Sequence, residues 1–209
     1  MSSVAIVDYG VGNVTSIMNA LRYCGYDSVL TNNADVIGDS DKIILPGVGA
    51  FAFCMQRLAE TGLDDVIKTC VDRGKSLLGI CVGMQVLFDE GHEHGVHQGL
   101  GIFPGAVKKL PCIDNSSERL PNIGWHAVEY RREGSKQSVF EQLPKDDNYY
   151  FVHSYACEPG DENMCVARSY YAGKEFTAAV ARDNVFAVQF HPERSGPAGL
   201  KFLQQFIRG

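Results

Sequence analysis

Short apolar runs alternate with helix-like stretches through the N-terminal part of the chain, and this alternation limits the possible folds more than any other feature. The runs are Val4–Asp8, Asp27–Thr31, Lys42–Leu45 and Lys75–Ile80. Apolar runs of this length are typical of strands buried on both faces of a sheet. Apolar positions at helical spacing predict helices over Val14–Cys24 and Leu63–Arg73, and each is followed by a glycine that can end it. Strands that alternate with helices predict a parallel sheet with right-handed crossovers.

The second half of the chain is richer in strand patterns. The predicted strands are Ala127–Tyr130, Tyr149–His153, Cys165–Tyr170, Phe176–Ala181 and Val185–Phe190. A polar segment, 182–184, separates the last two and indicates a hairpin, and a helix is predicted over Leu200–Ile207. Because no Gly/Ser linker or internal repeat interrupts the chain, we expect residues 1–209 to form one α/β domain with an antiparallel extension of its sheet. The polar stretch Pro111–Pro121 is predicted to be a loop.

Charge and cysteine usage exclude several classes of protein. The formal net charge is −6, whereas a nucleic-acid-binding protein normally carries a basic surface. No run of 18 apolar residues and no basic N-terminal segment is present, so we expect neither a membrane span nor a signal peptide. The seven cysteines include no C-x-x-C pair, which argues against disulfides and zinc and favours a reducing, cytoplasmic location. His92, His94 and His97 lack the spacing of a helical metal-binding pair, so no metal site is predicted.

Cys81 is the candidate nucleophile. It is the centre of Gly79-Ile80-Cys81-Val82-Gly83, between a predicted buried strand and a helix-like stretch, Val82–Phe88. This is the pattern of a nucleophile elbow, with Cys in place of Ser, in which small neighbours let strand and helix approach closely. The start of a helix also favours the thiolate over the thiol. The alternative is that Cys81 is only a small buried apolar residue.

His191 is the candidate base. It ends a predicted strand, Pro192 follows it, and Glu193 lies two residues further on. Because proline ends the strand, we expect His191 to project from a sheet edge rather than lie in the core. A carboxylate at this spacing can orient the imidazole and stabilise its protonated form, as in a catalytic triad. The alternative is a surface histidine beside a surface glutamate.

Acyl-transfer chemistry also needs backbone N–H donors for the developing oxyanion. Val82 follows the nucleophile and can supply one donor. The segment Pro46-Gly47-Val48-Gly49 follows another predicted strand, and Gly47 with Val48 can supply the second. Glycines on both sides of Val48 leave its peptide free to reorient. Without the elbow, this segment reads equally well as an ordinary turn between a strand and a helix.

Taken together, Pro46-Gly47-Val48-Gly49, Gly79-Ile80-Cys81-Val82-Gly83-Met84-Gln85 and His191-Pro192-Glu193 resemble the class I, triad-type glutamine amidotransferases. Within that family the chain is similar to the glutaminase subunits of histidine biosynthesis. The strings that carry this closer similarity are Asp8-Tyr9-Gly10-Val11-Gly12-Asn13, Phe151-Val152-His153-Ser154-Tyr155, Phe176-Thr177-Ala178-Ala179-Val180 and His191-Pro192-Glu193-Arg194-Ser195-Gly196. The resemblance covers essentially the whole chain and implies a flavodoxin-like sheet with helices on both faces.

The resemblance also implies a reaction and its site residues. Cys81 would attack the side-chain amide of glutamine and form a glutamyl thioester, with no cofactor. The substrate pocket would be lined by Gln85, Glu93, Ser154 and Tyr155, with Glu93 facing the glutamine ammonium. Ammonia would pass to a separate (β/α)₈-barrel cyclase subunit in a heterodimer, docked against Asn13, Trp125 and Arg194. From the residues alone, Trp125 could equally be a core aromatic.

Two other interpretations stay open. The same triad could serve a glutaminase subunit of a different synthase. A non-catalytic or redox-sensing module could also use an elbow cysteine, in which case His191 and Glu193 would be dispensable. For the glutaminase, we expect low turnover in the isolated chain and activation by the partner, through reorientation of the Val48 peptide.

Overall fold

The computed structural model describes residues 2–110, 119–131, 138–141, 143 and 147–209. Its strands are β1 (Val4–Val7), β2 (Val29–Thr31), β3 (Lys42–Leu45), β4 (Ser76–Ile80), β5 (Phe88–Gly91), β6 (His97–Gln98), β7 (Phe103–Lys109), β8 (Asn122–Ala127), β9 (Glu129–Tyr130), β10 (Asn148–His153), β11 (Tyr155–Pro159), β12 (Cys165–Tyr171), β13 (Lys174–Arg182) and β14 (Val185–Val188). Its helices are α1 (Val14–Tyr23), α2 (Ala34–Asp39), α3 (Phe51–Thr61), α4 (Leu63–Asp72), α5 (Val82–Gln85), α6 (Ser138–Glu141) and α7 (Gly196–Arg208). Single 3₁₀ turns are formed by Glu162–Met164 and Pro192–Arg194.

The largest sheet has the strand order β2-β1-β3-β4-β14-β13-β12-β9. The first five strands of this order are parallel, and the last three are antiparallel. With β14 as the fifth parallel strand, the order is that of a flavodoxin-like sheet. The predicted parallel sheet with an antiparallel extension is therefore confirmed.

Burial explains why the first half of the chain forms this sheet. Every residue of β1, β3 and β14 is buried, as continuous apolar runs require when helices cover both faces of a sheet. The helices form two packed groups, α1 with α7 and α2 with α3 and α4, as in a doubly wound fold. In α4 the buried residues Leu63, Ile67 and Cys70 repeat at helical spacing. No helix in the described part of the chain is both long and apolar enough to cross a membrane.

Two smaller sheets lie beside the main one. One has the order β11-β7-β5-β6, and the other is the antiparallel pair β10–β8. The prediction of a helix over Val82–Phe88 is wrong beyond Gln85, because Phe88 begins β5 and pairs with β7. A short apolar run is compatible with either structure, and here the pairing with β7 decides.

Some further predictions need correction at their ends. The predicted strand Ala127–Tyr130 is interrupted at Val128, because Ala127 ends β8 while β9 pairs with β12. The predicted strand Val185–Phe190 ends at Val188. The helices α2 and α3 and the strands β5 to β8 and β11 were not predicted as elements. Of the predicted loop Pro111–Pro121, residues 111–118 lie outside the described part of the chain.

Candidate active site

Cys81 lies at the carboxyl end of β4, where the chain turns into α5. Its backbone has φ +56° and ψ −113°, a conformation that residues with side chains rarely adopt. A Cβ atom on Gly83 would lie 2.0 Å from the carbonyl oxygen of Leu45, and one on Gly79 would lie 2.7 Å from the carbonyl oxygen of Gly83. Glycine is therefore required on both sides of Cys81 for this close turn, and the predicted elbow is present. The surrounding packing holds Cys81 in its strained conformation.

His191 follows the carboxyl end of β14, the strand next to β4 in the sheet. Its Nδ1 lies 2.8 Å from Oε1 of Glu193, and both side chains are almost completely buried. His191 lies at the carboxyl edge of the sheet and borders the pocket, as predicted, but its side chain is buried rather than exposed, and its backbone N–H donates to the carbonyl of Tyr150. The alternative of an exposed His–Glu pair is therefore wrong.

The charge on His191 follows from its neighbours. Burial by itself lowers the pKa of His191, but the interactions with Cys81 and with the Glu193 carboxylate outweigh burial and raise it to about 10. His191 is therefore protonated near neutral pH. Its Nε2 and the Oε2 of Glu193 make no hydrogen bond to any residue in the described ranges. Nε2 is thus left available to a substrate or to the nucleophile.

The segment Pro46–Gly49, predicted as part of an oxyanion hole, follows β3 and runs beside the elbow. A Cβ atom on Gly47 would lie 2.3 Å from a backbone nitrogen of the elbow, so no other residue fits there. The hydroxyl of Tyr9 donates to the carbonyl of Pro46 at 2.6 Å. The carbonyl of Val48 accepts from Sγ of Cys54 at 3.6 Å. Side chains therefore hold two carbonyls of this segment in their present directions.

A pocket of about 240 Å³ opens above Cys81 and His191. It is bordered by Val48, Gly49, Cys81, Val82, Gln85, Glu93, Pro121, Val152, His153, Ser154, Tyr155 and His191. The four residues predicted to bind substrate, Gln85, Glu93, Ser154 and Tyr155, are all among them. The volume is below the range typical of sites for drug-sized ligands, so the pocket suits a small metabolite.

Two of the predicted substrate-binding side chains already have partners inside the protein. Oε2 of Glu93 accepts from the backbone N–H of Phe51, the first residue of α3, at 2.8 Å. Nε2 of Gln85 donates to the carbonyl of Tyr155 and to Oε1 of Gln189, each at 3.0 Å. These bonds fix the two side chains, and one oxygen of each is left to meet a substrate.

A second buried histidine, His153, borders the same pocket in a neutral polar network. Its Nδ1–H donates to the carbonyl of Tyr155 at 2.8 Å, and its Nε2 accepts from the side-chain amide of Asn122 at 3.1 Å. Oδ1 of Asn122 accepts from Nε2 of His126 at 2.7 Å. Burial lowers the pKa of His153 to about 4, so the ring is neutral near pH 7. The sequence does not reveal this network, because Asn122 and His153 meet only through the pairing of β8 with β10.

The three residues predicted at a docking face lie near one another. Trp125 is 54% exposed, which rules out the core-aromatic alternative, and its ring meets that of Tyr150 edge-on with centroids 6.0 Å apart. The guanidinium of Arg194 lies over the same Tyr150 ring at 5.0 Å. Asn13 precedes α1, which packs against the turn that contains Arg194. Asn13, Trp125, Tyr150 and Arg194 are together called the Trp125 face below.

Within the described ranges, no three His, Cys, Asp or Glu side chains are placed to bind a metal ion. Nε2 of His92 lies 2.8 Å from Oε1 of Glu90. The six cysteines in those ranges are all free thiols.

Comparison with known proteins identifies the family to which the chain belongs. Residues 5–209 match the family described as Glutamine amidotransferase class-I. The chain is 42% identical over 204 residues to the imidazole glycerol phosphate synthase subunit HisH of Chlorobaculum tepidum, covering 97% of this chain and 98% of that protein. It is 40% identical over 211 residues to the subunit of the same name from Geobacter metallireducens, covering 99% and 98%.

Solved structures agree on the fold. The structure of PurLQS from Thermotoga maritima matches with a TM-score of 0.75 at 22% identity, covering 100% of this chain and 99% of that one. A crystal structure of a glutamine amidotransferase matches with a TM-score of 0.73 at 20% identity, covering 97% and 98%.

Proposed function

The chain belongs to the class I glutamine amidotransferase family, and on that premise we propose that it is the glutaminase subunit of an imidazole glycerol phosphate synthase. The enzyme hydrolyses glutamine to glutamate and ammonia without a cofactor. The observation that carries the proposal is the strained Cys81 beside a buried, protonated His191–Glu193 pair in one small pocket. We further propose that residues 1–209 form one domain, which the continuous buried core supports. We propose separately that the protein is cytoplasmic.

We propose a thioester mechanism for the triad. The Cys81 thiolate attacks the side-chain amide carbon of glutamine, and a C–S bond forms. Protonated His191 gives its Nε2 proton to the departing nitrogen, the C–N bond breaks, and ammonia leaves a glutamyl thioester. Neutral His191 then takes a proton from water, the resulting hydroxide attacks the thioester carbon, and the C–S bond breaks to return the thiolate and release glutamate. Glu193 keeps the imidazole in position and stabilises its protonated form.

The substrate-binding roles follow from which polar atoms remain unused. We assign the free carboxylate oxygen of Glu93 to the glutamine ammonium, because a charged amino acid needs an opposite charge in a partly enclosed pocket. Gln85 has its Nε2 committed to Tyr155 and Gln189, so its Oε1 would accept from the substrate. Ser154 would complete the wall of the pocket.

We propose that the backbone N–H groups of Val82 and Val48 form the oxyanion hole. The carbonyl of Val48 is held by Cys54, and Gly49 has φ +96°. The bond from Cys54 holds the Val48–Gly49 peptide, whereas the Val48 N–H belongs to the Gly47–Val48 peptide, whose reorientation the glycine at position 47 permits. Docking of a partner would favour the orientation that completes the hole, so turnover of the isolated chain is low.

The relatives are named as a subunit, so this chain works with a partner subunit. We propose that the partner is a separate (β/α)₈-barrel cyclase that receives the ammonia in a heterodimer. The Trp125 face supports this, because an exposed tryptophan, a stacked arginine and a tyrosine are the residue types enriched in interface hot spots.

Glutamate release from glutamine, measured with and without purified cyclase, tests the proposal. We expect low release by the chain alone and a clear increase with the cyclase. Cys81→Ala and His191→Asn should each reduce turnover by roughly 10³-fold or more. Cys70→Ala is the matched control, because it removes a buried thiol from α4, a helix that contributes no residue to the pocket, and should keep full turnover.

The same assay separates the alternatives. A glutaminase that serves another synthase would keep its dependence on Cys81 but would not respond to the cyclase. A redox module would tolerate His191→Asn. An active Cys81→Ala protein would overturn the proposal.

A further inference from the structure

Gln189 is a buried amide that the mechanism above does not use. It follows β14 directly, two residues before His191, and is fully buried. Its backbone N–H donates to the carbonyl of Ala178 at 2.9 Å, which fixes the main chain. Its side-chain Nε2 lies 3.7 Å from Sγ of Cys81, in position to donate a hydrogen bond. A polar side chain at the end of a buried apolar strand requires a hydrogen-bonding role, because burying an unpaired amide is costly.

The direction of this amide is determined by its neighbours. The carbonyl of Tyr155 can only accept, so the group of Gln85 that faces it must be the NH₂ group. The second hydrogen of that NH₂ group points to Gln189, which must therefore present its oxygen. Nε2 of Gln189 then faces Cys81.

A side-chain donor at the sulfur adds to the effect of protonated His191, whose interaction with Cys81 also favours the thiolate. α5 has only four residues, so the contribution of its dipole to the thiolate is small. The carbonyl of Val152, 3.9 Å from Sγ, can only accept a hydrogen bond and so favours the thiol. Hydrogen bonding to the charged form of a group favours that form.

We propose that Gln189 is a further catalytic residue, whose side-chain amide donates a hydrogen bond to the Cys81 thiolate and holds the sulfur in position for attack. The inference rests on the proposed function and deepens it. His191 supplies the proton, while Gln189 keeps the nucleophile charged and aimed between turnovers.

The groups that interact with Cys81 or share its pocket are few, which makes the inference testable by pH. The titratable ones are Tyr9, Cys54, Glu93, His153, Tyr155, Cys157 and His191, and Tyr155 is unchanged in every variant below. Burial raises the pKa of Tyr9 and Cys157 and that of Cys54 to about 11, so all three stay uncharged near neutral pH. His153 is also uncharged, and Glu93 and His191 are the same in every variant below.

Two variants distinguish a role of Gln189 as a hydrogen-bond donor to Cys81 from a purely structural role. Gln189→Glu keeps the oxygen that accepts from Gln85 and replaces the NH₂ group that faces Cys81. Gln189→Met has similar length and lacks both polar atoms. Asn184→Ala is the matched control, because it removes a side-chain amide that donates to the carbonyls of Val71 and Lys75 before the start of β14, far from the pocket.

The readout is the pH dependence of Cys81 alkylation by iodoacetamide, followed by peptide mass spectrometry. We expect its midpoint to rise by about one pH unit in Gln189→Met and further in Gln189→Glu, where a carboxylate faces the sulfur. Glutamine turnover should fall roughly 10- to 100-fold in both variants. Asn184→Ala should match the wild type in both measurements.

Alkylation needs no glutamine, so a failure of the proposed function would leave this test intact. If Gln189→Glu folds, as judged by circular dichroism, and its midpoint equals that of the wild type, the inference is overturned even if the glutaminase is confirmed. If Gln189→Met alone fails to fold, Gln189→Glu decides. If neither variant folds, Gln189 is a structural residue and the inference is also overturned.

Discussion

Two buried histidines border the pocket, and their surroundings make one of them positively charged and the other neutral. His191 follows the parallel strand β14, and its interactions with Cys81 and with the carboxylate of Glu193 raise its pKa to about 10. His153 ends the antiparallel strand β10 and lies between the Asn122 amide and a backbone carbonyl, and its pKa is lowered to about 4. Burial alone lowers the pKa of both, so the partner decides the charge.

Because of this difference, the two histidines have different roles in the pocket. The charged ring of His191 has a proton to give and a partner that stabilises the charge. The neutral ring of His153 has one donor and one acceptor, both already used, so it can only hold the Tyr155 carbonyl in place. In the mechanism that we propose, the region after β14 therefore supplies the proton, while the β8–β10 pair provides a fixed neutral wall.

Replacing the partner of His191 should give the largest effect. In Glu193→Gln the imidazole would face a neutral amide, as His153 does, and we expect the pKa of His191 to fall by about two units or more. Glutamine turnover should decrease roughly 10²- to 10³-fold, because protonated His191 becomes scarcer and less well oriented. NMR titration of the histidine rings measures the pKa, and glutamate release measures the turnover.

Glu60→Gln is the matched control for this change, since it removes an exposed carboxylate on α3 that is paired with Arg57. It should change neither quantity. An unchanged histidine titration in Glu193→Gln would mean that Glu193 does not set the charge of His191.

The low pKa of His153 predicts that the stability of the folded protein depends on pH. The pKa of His153 is about 4 in the folded state and about 6.5 in the unfolded chain. Between these values the unfolded chain binds a proton that the folded protein does not, so the free energy of unfolding falls as the pH falls through this window. The loss amounts to about 3 kcal/mol by pH 4.

His153→Gln should remove this dependence, because glutamine is neutral at every pH and keeps one donor and one acceptor. The free energy of unfolding, measured by urea denaturation, falls between pH 7 and pH 4 in both proteins. We expect this fall to be about 3 kcal/mol smaller in the variant than in the wild type. The other titrating groups are the same in both proteins, so their contribution cancels when the two dependences of stability on pH are compared. Parallel slopes would show that His153 is protonated in the folded protein.

The two regions also differ in how far the sequence predicts them. The strand runs, the elbow at Cys81 and the His191–Glu193 pair are local patterns, and the structure contains each of them. The neutral wall depends on the contact of Asn122 with His153, which are 31 residues apart, and the contact of Gln85 with Gln189 near Cys81 spans 104 residues. Such contacts depend on strand register and sheet order, which local periodicity does not encode.

The errors in the fold have the same origin. The run from Val86 to Phe88 is as apolar as a helix face, and only its pairing with β7 makes Phe88 the start of a strand. The main chain of His191 is likewise held by β10, because its N–H donates to the carbonyl of Tyr150, which lies far away in the sequence. In each case the immediate sequence is compatible with two outcomes, and a distant segment selects one.

Ser195 joins the two regions and gives the smallest predicted effect. Its buried hydroxyl accepts from the backbone N–H of Tyr150 at 2.9 Å and donates to the carbonyl of His191 at 2.6 Å. Ser195→Ala leaves a buried N–H without its acceptor, so we expect the free energy of unfolding to fall by about 1–2 kcal/mol. The direct bond from the His191 N–H to Tyr150 remains, so the histidine titration should not change. Urea denaturation measures the stability, and NMR titration of the same sample measures the pKa of His191. A shifted titration would mean that the hydrogen bonds of Ser195 also determine the charge of His191.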